Sequence, residues 1–310
     1  MNKTLIVATR GGALAIAQTQ IVVSALKKIH PDIDIQVKKI ASEGDKDRKT
    51  TLWELKSTGF FTSQLEDALL ANQADAAVHS FKDLPTVIRE GLVIGAVLDR
   101  RFPEDCLVSA GGTAILAVSS RAGSPCHELP KGAKVGTSSL RRTVQLKRLR
   151  EDLQCVPIRG NVTTRLRKLE QGDFDAIVLA RAGLERLGLD DKISIVFDPA
   201  KFIPSPAQGA LAVEIRDDDS ETKEIVSKLD DKDARKTTTV ERQVFAALRC
   251  GCHAPAGVFA KISGDQITIS GCFSEPDGKN FVQSTVSGPV ADYEILTQTL
   301  AAKLLQKDNL

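Results

Sequence analysis

"ADAAVHSFKDLPT", residues 74–86, decides how this chain folds. Ala74 to Ser80 reads as a short buried strand, and Pro85 stops the run just beyond it. Lys82 and Asp83 stand side by side at the strand's end, where successive side chains cannot share one face. Working outward, strand and helix signals alternate. "LIVAT" (Leu5 to Thr9) is a short apolar run closed by Gly11 and Gly12. Val22, Ala25, Leu26 and Ile29 then recur at helical spacing, up to His30. Ile33, Ile35 and Val37 alternate with polar residues, a strand pattern. Phe60 to Leu70 predicts a second helix, and Leu92 to Leu98 a fourth strand. This alternation predicts a mostly parallel sheet covered by helices on both faces.

A second α/β unit follows. "AKVG" (Ala133 to Gly136) predicts a strand, and "TSS" supplies capping residues for a helix to about Arg150. "VPIRGN" predicts a strand and then a turn. Val162 to Gln171 predicts a helix ended by Gly172, and Phe174 to Ala180 a buried strand. "LAVEIR" (Leu211 to Arg216) predicts a strand that returns to the first sheet. Beyond it the pattern changes. Val240, Val244, Ala247 and Leu248 mark a helix ending near Arg249. "VFAKISGDQITISGCF" is a hairpin turning at Gly264-Asp265. "EPDGKN" is another turn, before a strand at Phe281 to Val286 and a closing helix from Asp292 to Gln306. This last part predicts a small α+β domain with an antiparallel sheet.

The chain has 310 residues, 42% hydrophobic and 26% charged, with a net charge of +2. Those proportions are ordinary for a globular protein of two or three domains. The opening apolar run is broken by Arg10 too early for a signal peptide, and no stretch approaches the roughly 20 apolar residues of a membrane span. A cytoplasmic protein is expected, with its six cysteines reduced.

Basic residues gather where elements begin. Arg10 follows the first strand and Lys82 the third. Arg141 and Arg142 lie in the first turn of the "GTSSLRR" helix. Arg159 follows a strand, and Arg165 comes one helical turn later. Ligands of α/β sheets bind beyond the carboxyl ends of strands, near helix N-termini that already favour anions. Arginine adds paired donors suited to carboxylates. Two cations in a first turn oppose the helix dipole and need compensation, which a bound polyanion would supply. Nucleic acid is a poor candidate for that anion, because aromatic residues make up only 4% of the chain and no stacking platform is visible. In "RCGCHAP" (Arg249 to Pro255) the cysteine spacing does not suit zinc, so no metal is expected. Cys250 reads as a structural residue near a helix end, and Cys252 as an accessible thiol in a loop.

"ATRGGALA", "VHSFKDLPT", "GTSSLRR", "IRGNVTTRLRKL", "AGLERLGL", "AQGALAVE" and "RCGCHAP" occur in this order. Together they resemble the porphobilinogen deaminase (hydroxymethylbilane synthase) family over essentially the whole chain. The resemblance implies a transferase that condenses four porphobilinogen molecules head to tail, releases ammonia, and frees the linear product with water. It implies a covalent dipyrromethane cofactor, made from substrate and thioether-linked to Cys252. It makes Asp83 the catalytic acid–base group. It puts Lys82, Asp83, Thr137, Ser139, Arg141, Arg142, Arg159 and Arg165 on the cofactor, and Arg10, Gly12, Phe61, Arg159, Arg165 and Arg186 on the substrate. Each pyrrole ring brings two carboxylates, so the growing chain needs a basic cleft. A carboxylate within it stabilises the cation left when ammonia departs and relays the proton lost on coupling.

The resemblance also implies an α/β fold. Two periplasmic-binding-protein-like domains carry mixed five-stranded sheets, and a small α+β domain follows. The domains fall at 1–98 with 210–227, at 99–209 and at 228–310. A monomer is expected, with no nucleic acid or membrane partner. Some positions depart from the family pattern. Gly12 stands where many members have serine, Thr58 differs in the loop before Phe61, Lys49 stands where an acidic residue is common, Arg181 replaces a small or apolar residue, and "AQGA" replaces "GQGA" around Gln208. The rival reading is a two-lobed anion-binding protein without catalysis.

Overall fold

The structure, a computed structural model, describes residues 4–41, 62–110, 116–117, 129–249 and 254–305. It forms two compact units. One comprises Met1–Thr50, Glu54–Arg101 and Gly209–Lys236, and the other is built chiefly from Phe102–Gln208 and Thr237–Leu310.

In the first unit β1 (Thr4–Arg10) leads through α1 (Ala13–Ile29) to β2 (Asp34–Ile40). Then come α2 (Ser63–Leu70), β3 (Ala76–Ser80) and β4 (Leu92–Leu98). "LAVEIR" returns as β11 (Leu211–Arg216) and is followed by α6 (Ser220–Ser227). The sheet order is β2-β1-β3-β11-β4. β1 is parallel to β2 and β3, while β11 runs antiparallel to both β3 and β4. Both faces are covered. Leu5, Val7 and Val78 pack with Val22 and Leu26 of α1 and Val226 of α6. Ala8 and Ala77 point the other way, onto Leu65 and Leu69 of α2. Each such buried aliphatic side chain contributes roughly 1.5–3 kcal/mol. The buried stripe of α1 differs from expectation. It runs through Gln18, Thr19, Val22, Val23 and Leu26, while Ile29 is 43% exposed.

The second unit holds two sheets. Its larger sheet uses β5 (Asp105–Ser109), β6 (Leu116–Ala117), β7 (Lys134–Gly136), β8 (Gln154–Val156), β9 (Ala176–Ala180) and β10 (Ile195–Val196). The order is β6-β10-β5-β9-β7-β8, a mixed sheet in which two-residue β6 extends one edge. Helix α3 (Leu140–Leu149) lays Leu146 on the face carrying Val135 and Val178. Helices α4 (Val162–Glu170) and α5 (Arg181–Glu185) cover the face carrying Ile177 and Leu179 with Leu166, Leu169 and Leu184.

Helix α7 (Lys232–Ala247) leads to the smaller sheet. β12 (Gly257–Ser263), β13 (Gln266–Phe273) and β14 (Val282–Pro289) pair antiparallel in that order. Gly264, at φ +62°, makes the expected turn. Helix α8 (Tyr293–Leu304) packs Leu300 and Leu304 against Ile267 and Ile269. No helix among the described residues is long and apolar enough to cross a membrane.

Candidate active site

In the first unit, Phe81–Asp83 form one turn of 3-10 helix directly after β3. The Phe81 N–H donates to Ala210 O at 3.1 Å, and the Leu84 N–H to Phe81 O at 3.4 Å. Phe81 and Leu84 are buried, Lys82 is half-buried and Asp83 is exposed. The two apolar residues anchor the turn and present the charged pair outward. Ser80 Oγ, just before it, pairs with the Gln18 amide of α1 at 2.8 Å. Arg10 ends the neighbouring parallel strand β1. Gly12 is the N-cap of α1 at φ −76°, and a Cβ there would meet nothing within 4 Å. This position therefore has room for a small side chain such as serine's.

In the second unit, Ser139 caps α3 and accepts from the Arg142 N–H at 3.5 Å, while Thr137 Oγ1 accepts from the Ser139 N–H at 3.2 Å. Arg141 and Arg142 are only 6% and 7% exposed. Arg141 Nη1 donates to Asp105 Oδ2 at 2.7 Å and to Ile203 O at 2.8 Å. Arg142 donates to Asp105 Oδ1 from Nε at 3.1 Å and Nη2 at 2.7 Å, and to Val178 O from Nη1 at 2.9 Å. The compensation that first-turn cations need thus comes from inside the protein, and the sequence had pointed to a bound polyanion for it. Burial pushes the Asp105 carboxyl up, but the charges and hydrogen bonds of both arginines outweigh it and hold it well below the carboxylate range. The Gln208 amide completes the set, donating to Asp105 Oδ1 at 3.0 Å and Pro103 O at 2.9 Å.

Among the described residues, no carboxylate neutralises Arg159 or Arg165 in this way. Gly160, at φ +109°, turns the chain between them, and its carbonyl accepts from Arg165 Nε at 2.8 Å. A Cβ on Gly160 would come within 2.6 Å of Thr164 Cγ2. Arg159 Nε is buried without a hydrogen-bond partner among the described residues. Burial, with the like charges of Arg142 and Arg159 added, lowers the Arg165 guanidinium to about 10, still protonated at neutral pH. Arg186, half-buried, caps α5.

The first unit thus brings Arg10, Gly12, Lys82 and Asp83 to the carboxyl ends of neighbouring strands. The second brings Thr137, Ser139, Arg141, Arg142, Arg159 and Arg165 to the ends of β7 and β8. Phe61, Cys250 and Cys252 lie outside the described residues, as do Lys49 and Thr58. Among the described cysteines, burial pushes the Cys106 and Cys155 thiols up, and Cys272 up to about 12, which suits packing rather than nucleophilic attack. Sequence reasoning missed Asp105, and it noted Gln208 only as part of a motif.

Residues 5–224 match the family profile described as "Porphobilinogen deaminase, dipyromethane cofactor binding domain". Residues 235–306 match "Porphobilinogen deaminase, C-terminal domain". The chain belongs to the porphobilinogen deaminase family. It is 41% identical to the porphobilinogen deaminase of Desulforudis audaxviator over 99% of this chain and 96% of that one. It is 42% identical to that of Pelotomaculum thermopropionicum over 99% and 95%. Among solved structures it is similar to a substrate binding domain of a putative molybdenum ABC transporter from Clostridium difficile. That match has 14% identity and a TM-score of 0.47, and covers 76% of this chain and 95% of that one.

As a porphobilinogen deaminase it acts in tetrapyrrole biosynthesis, on porphobilinogen, with a dipyrromethane cofactor. The second unit's donor set fits such a group. A buried, unpartnered Arg159 Nε and crowded guanidiniums are what a ligand rich in carboxylates would satisfy.

Proposed function

We propose that this chain joins four porphobilinogen molecules head to tail onto a dipyrromethane primer held by Cys252, then releases hydroxymethylbilane by hydrolysis. The primer, when bound, supplies the pyrrole carbon that takes the first substrate unit. Arg141, Arg142, Arg159 and Arg165, with Lys82, Thr137 and Ser139, hold acetate and propionate groups of the cofactor. Arg10, Phe61 and Arg186, with Arg159 and Arg165, hold those of the substrate, beside Gly12. Asp83 stabilises the positive charge that develops on the substrate as ammonia leaves, and its carboxylate takes the proton released when two rings couple. The reading includes a cytoplasmic monomer of three domains, 1–98 with 210–227, 99–209 and 228–310.

The observation that carries this reading is the Arg142–Arg159–Arg165 cluster, whose like charges add to burial in lowering Arg165 and in which Arg159 Nε is a buried donor without a partner among the described residues. Like charges repel at close range, so such a cluster gains most from a polyanion. The exposed carboxylate at Asp83 favours an enzyme over the rival anion-binding protein, because a receptor for anions has no use for a negative charge next to Lys82. Intact-mass measurement, with ammonia release from porphobilinogen, tests the reading. A two-pyrrole adduct together with ammonia release is expected. A bare chain mass and no ammonia would leave the non-catalytic binding protein.

A further inference from the structure

We infer that Asp105 is a positioning residue for cofactor capture, holding the guanidinium groups of Arg141 and Arg142 in the orientation that receives the cofactor's carboxylates. The inference rests on the reading above that these two arginines hold those groups. Asp105 is fully buried at the start of β5, opposite Ala180 at the carboxyl end of β9. Its Oδ2 takes Arg141 and its Oδ1 takes Arg142 twice over, with Gln208 on the same oxygen. Val178 O holds Arg142 Nη1, the nitrogen that Asp105 does not take, while Ile203 O shares Arg141 Nη1 with Asp105. The arrangement spends some donors and leaves others. Arg141 Nε and Nη2 have no partner among the described residues. Asp105 and Ile203 O, both on Nη1, together fix the plane of the Arg141 guanidinium, so its remaining donors can meet a carboxylate without reorganisation.

Asp105 also subtracts one charge from the cluster formed with Arg159 and Arg165. Its two effects on anion capture have opposite signs. Removing its charge would strengthen attraction for carboxylates, while removing its grip would let both side chains swing. The direction of the change therefore identifies which role dominates.

Three variants are compared for adduct loading by intact mass, each on the folded fraction isolated by gel filtration. Asp105→Asn should load at least about tenfold more slowly from porphobilinogen than wild type, because one or more charge-assisted bonds lose their geometry. Asp105→Glu should recover part of that loss. Arg142→Leu should fall below both. Loading of Asp105→Asn at or above the wild-type rate, with Arg142→Leu impaired, would overturn the inference and leave the arginine reading intact. Normal loading of Arg142→Leu would remove that reading and the inference with it. If Asp105→Asn does not fold, the wild-type chain decides. Made in cells that lack porphobilinogen, it should show the Arg142 Nε–H NMR signal, slow to exchange and unmoved by loading. A signal absent from the apo chain and gained on loading would mean that Asp105 does not preorganise the pair.

Discussion

The sheet of the first unit runs β2-β1-β3-β11-β4, and that of the second, read from its other edge, runs β8-β7-β9-β5-β10. In each, three strands are parallel and the next runs antiparallel to the third. In each, that antiparallel strand carries a buried carboxylate. On β11 it is Glu214, opposite Ala77 and 3.1 Å from His79 Nε2, though their alignment falls short of a hydrogen bond. On β5 it is Asp105, opposite the last residue of β9. Glu214 sits within the sheet, and the turn beyond β3 presents its own exposed carboxylate at Asp83. Asp105 sits at the rim and is consumed by two arginines. One strand plan thus ends in an exposed carboxylate beyond β3 in the first unit and in a set of cations beyond β7 and β8 in the second.

If the first unit supplies the chemistry and the second the grip, substitutions should separate the two. The largest effect belongs to neither sheet. Cys252→Ser should fold, carry no adduct and show no turnover, whereas Cys250→Ser should keep both. An adduct persisting in Cys252→Ser by intact mass would move the attachment site. Asp83→Asn comes next. Losing a positioned acid–base group costs about 10²–10⁴ in rate, and the arginines proposed to hold the cofactor are untouched.

The third effect is on stability. Asp105→Asn leaves two buried guanidiniums uncompensated, which typically costs about 3–5 kcal/mol. Because the folded Asp105 carboxyl lies below its ordinary value of 3.8, its contribution is complete above that value and is lost as pH falls below it. Urea unfolding at pH about 6 and about 3 should therefore show the gap between wild type and Asn narrowing in acid. A gap that stays constant would mean the carboxylate charge is not what stabilises the fold. Arg159→Leu should slow loading or raise KM by roughly tenfold to a hundredfold, with Arg159→Lys between it and wild type. Unchanged loading and KM in the Leu variant would make Arg159 a structural cation.

The smallest effect concerns "AQGA". Ala207 has φ +59°, a left-handed conformation that costs a residue with a Cβ about 1–2 kcal/mol. Its N–H donates to the buried Glu241 carboxylate at 2.8 Å, which holds it there. Ala207→Gly restores the commoner motif and should raise thermal stability slightly, by less than about 1 kcal/mol once glycine's extra unfolded-state freedom is counted. A lower melting temperature would show that the strain is already relieved elsewhere.

Much of this division was legible in the sequence, and the rest was hidden for identifiable reasons. β3, β4, β9 and β11 were readable because buried strands make compact apolar runs. The α3 start was readable because "TSS" supplies capping residues, and Ser139 does accept from a backbone N–H; the structure adds that Asn161 caps α4 in the same way. β5 was not, since its "DCLVS" opens on a charge that reads as loop. β6 and β10 have two residues each, too few for any period. Asp105 escaped because Arg141 is 36 positions away, so nothing local marks it as an ion-pair partner. The α1 stripe was misplaced because Gln18 and Thr19 are buried by specific hydrogen bonds, to Ser80 and to Ala15 O, which apolar spacing cannot reveal.

The separation of chemistry from grip is tested most directly by single-turnover ammonia release from Asp83→Asn protein already shown by mass to carry the adduct. Full loading with release slowed at least about a hundredfold is the predicted result. Near-normal release would reduce Asp83 to a turn residue and contradict the account. So would loss of the adduct with an intact fold, because the carboxylate would then belong to the grip.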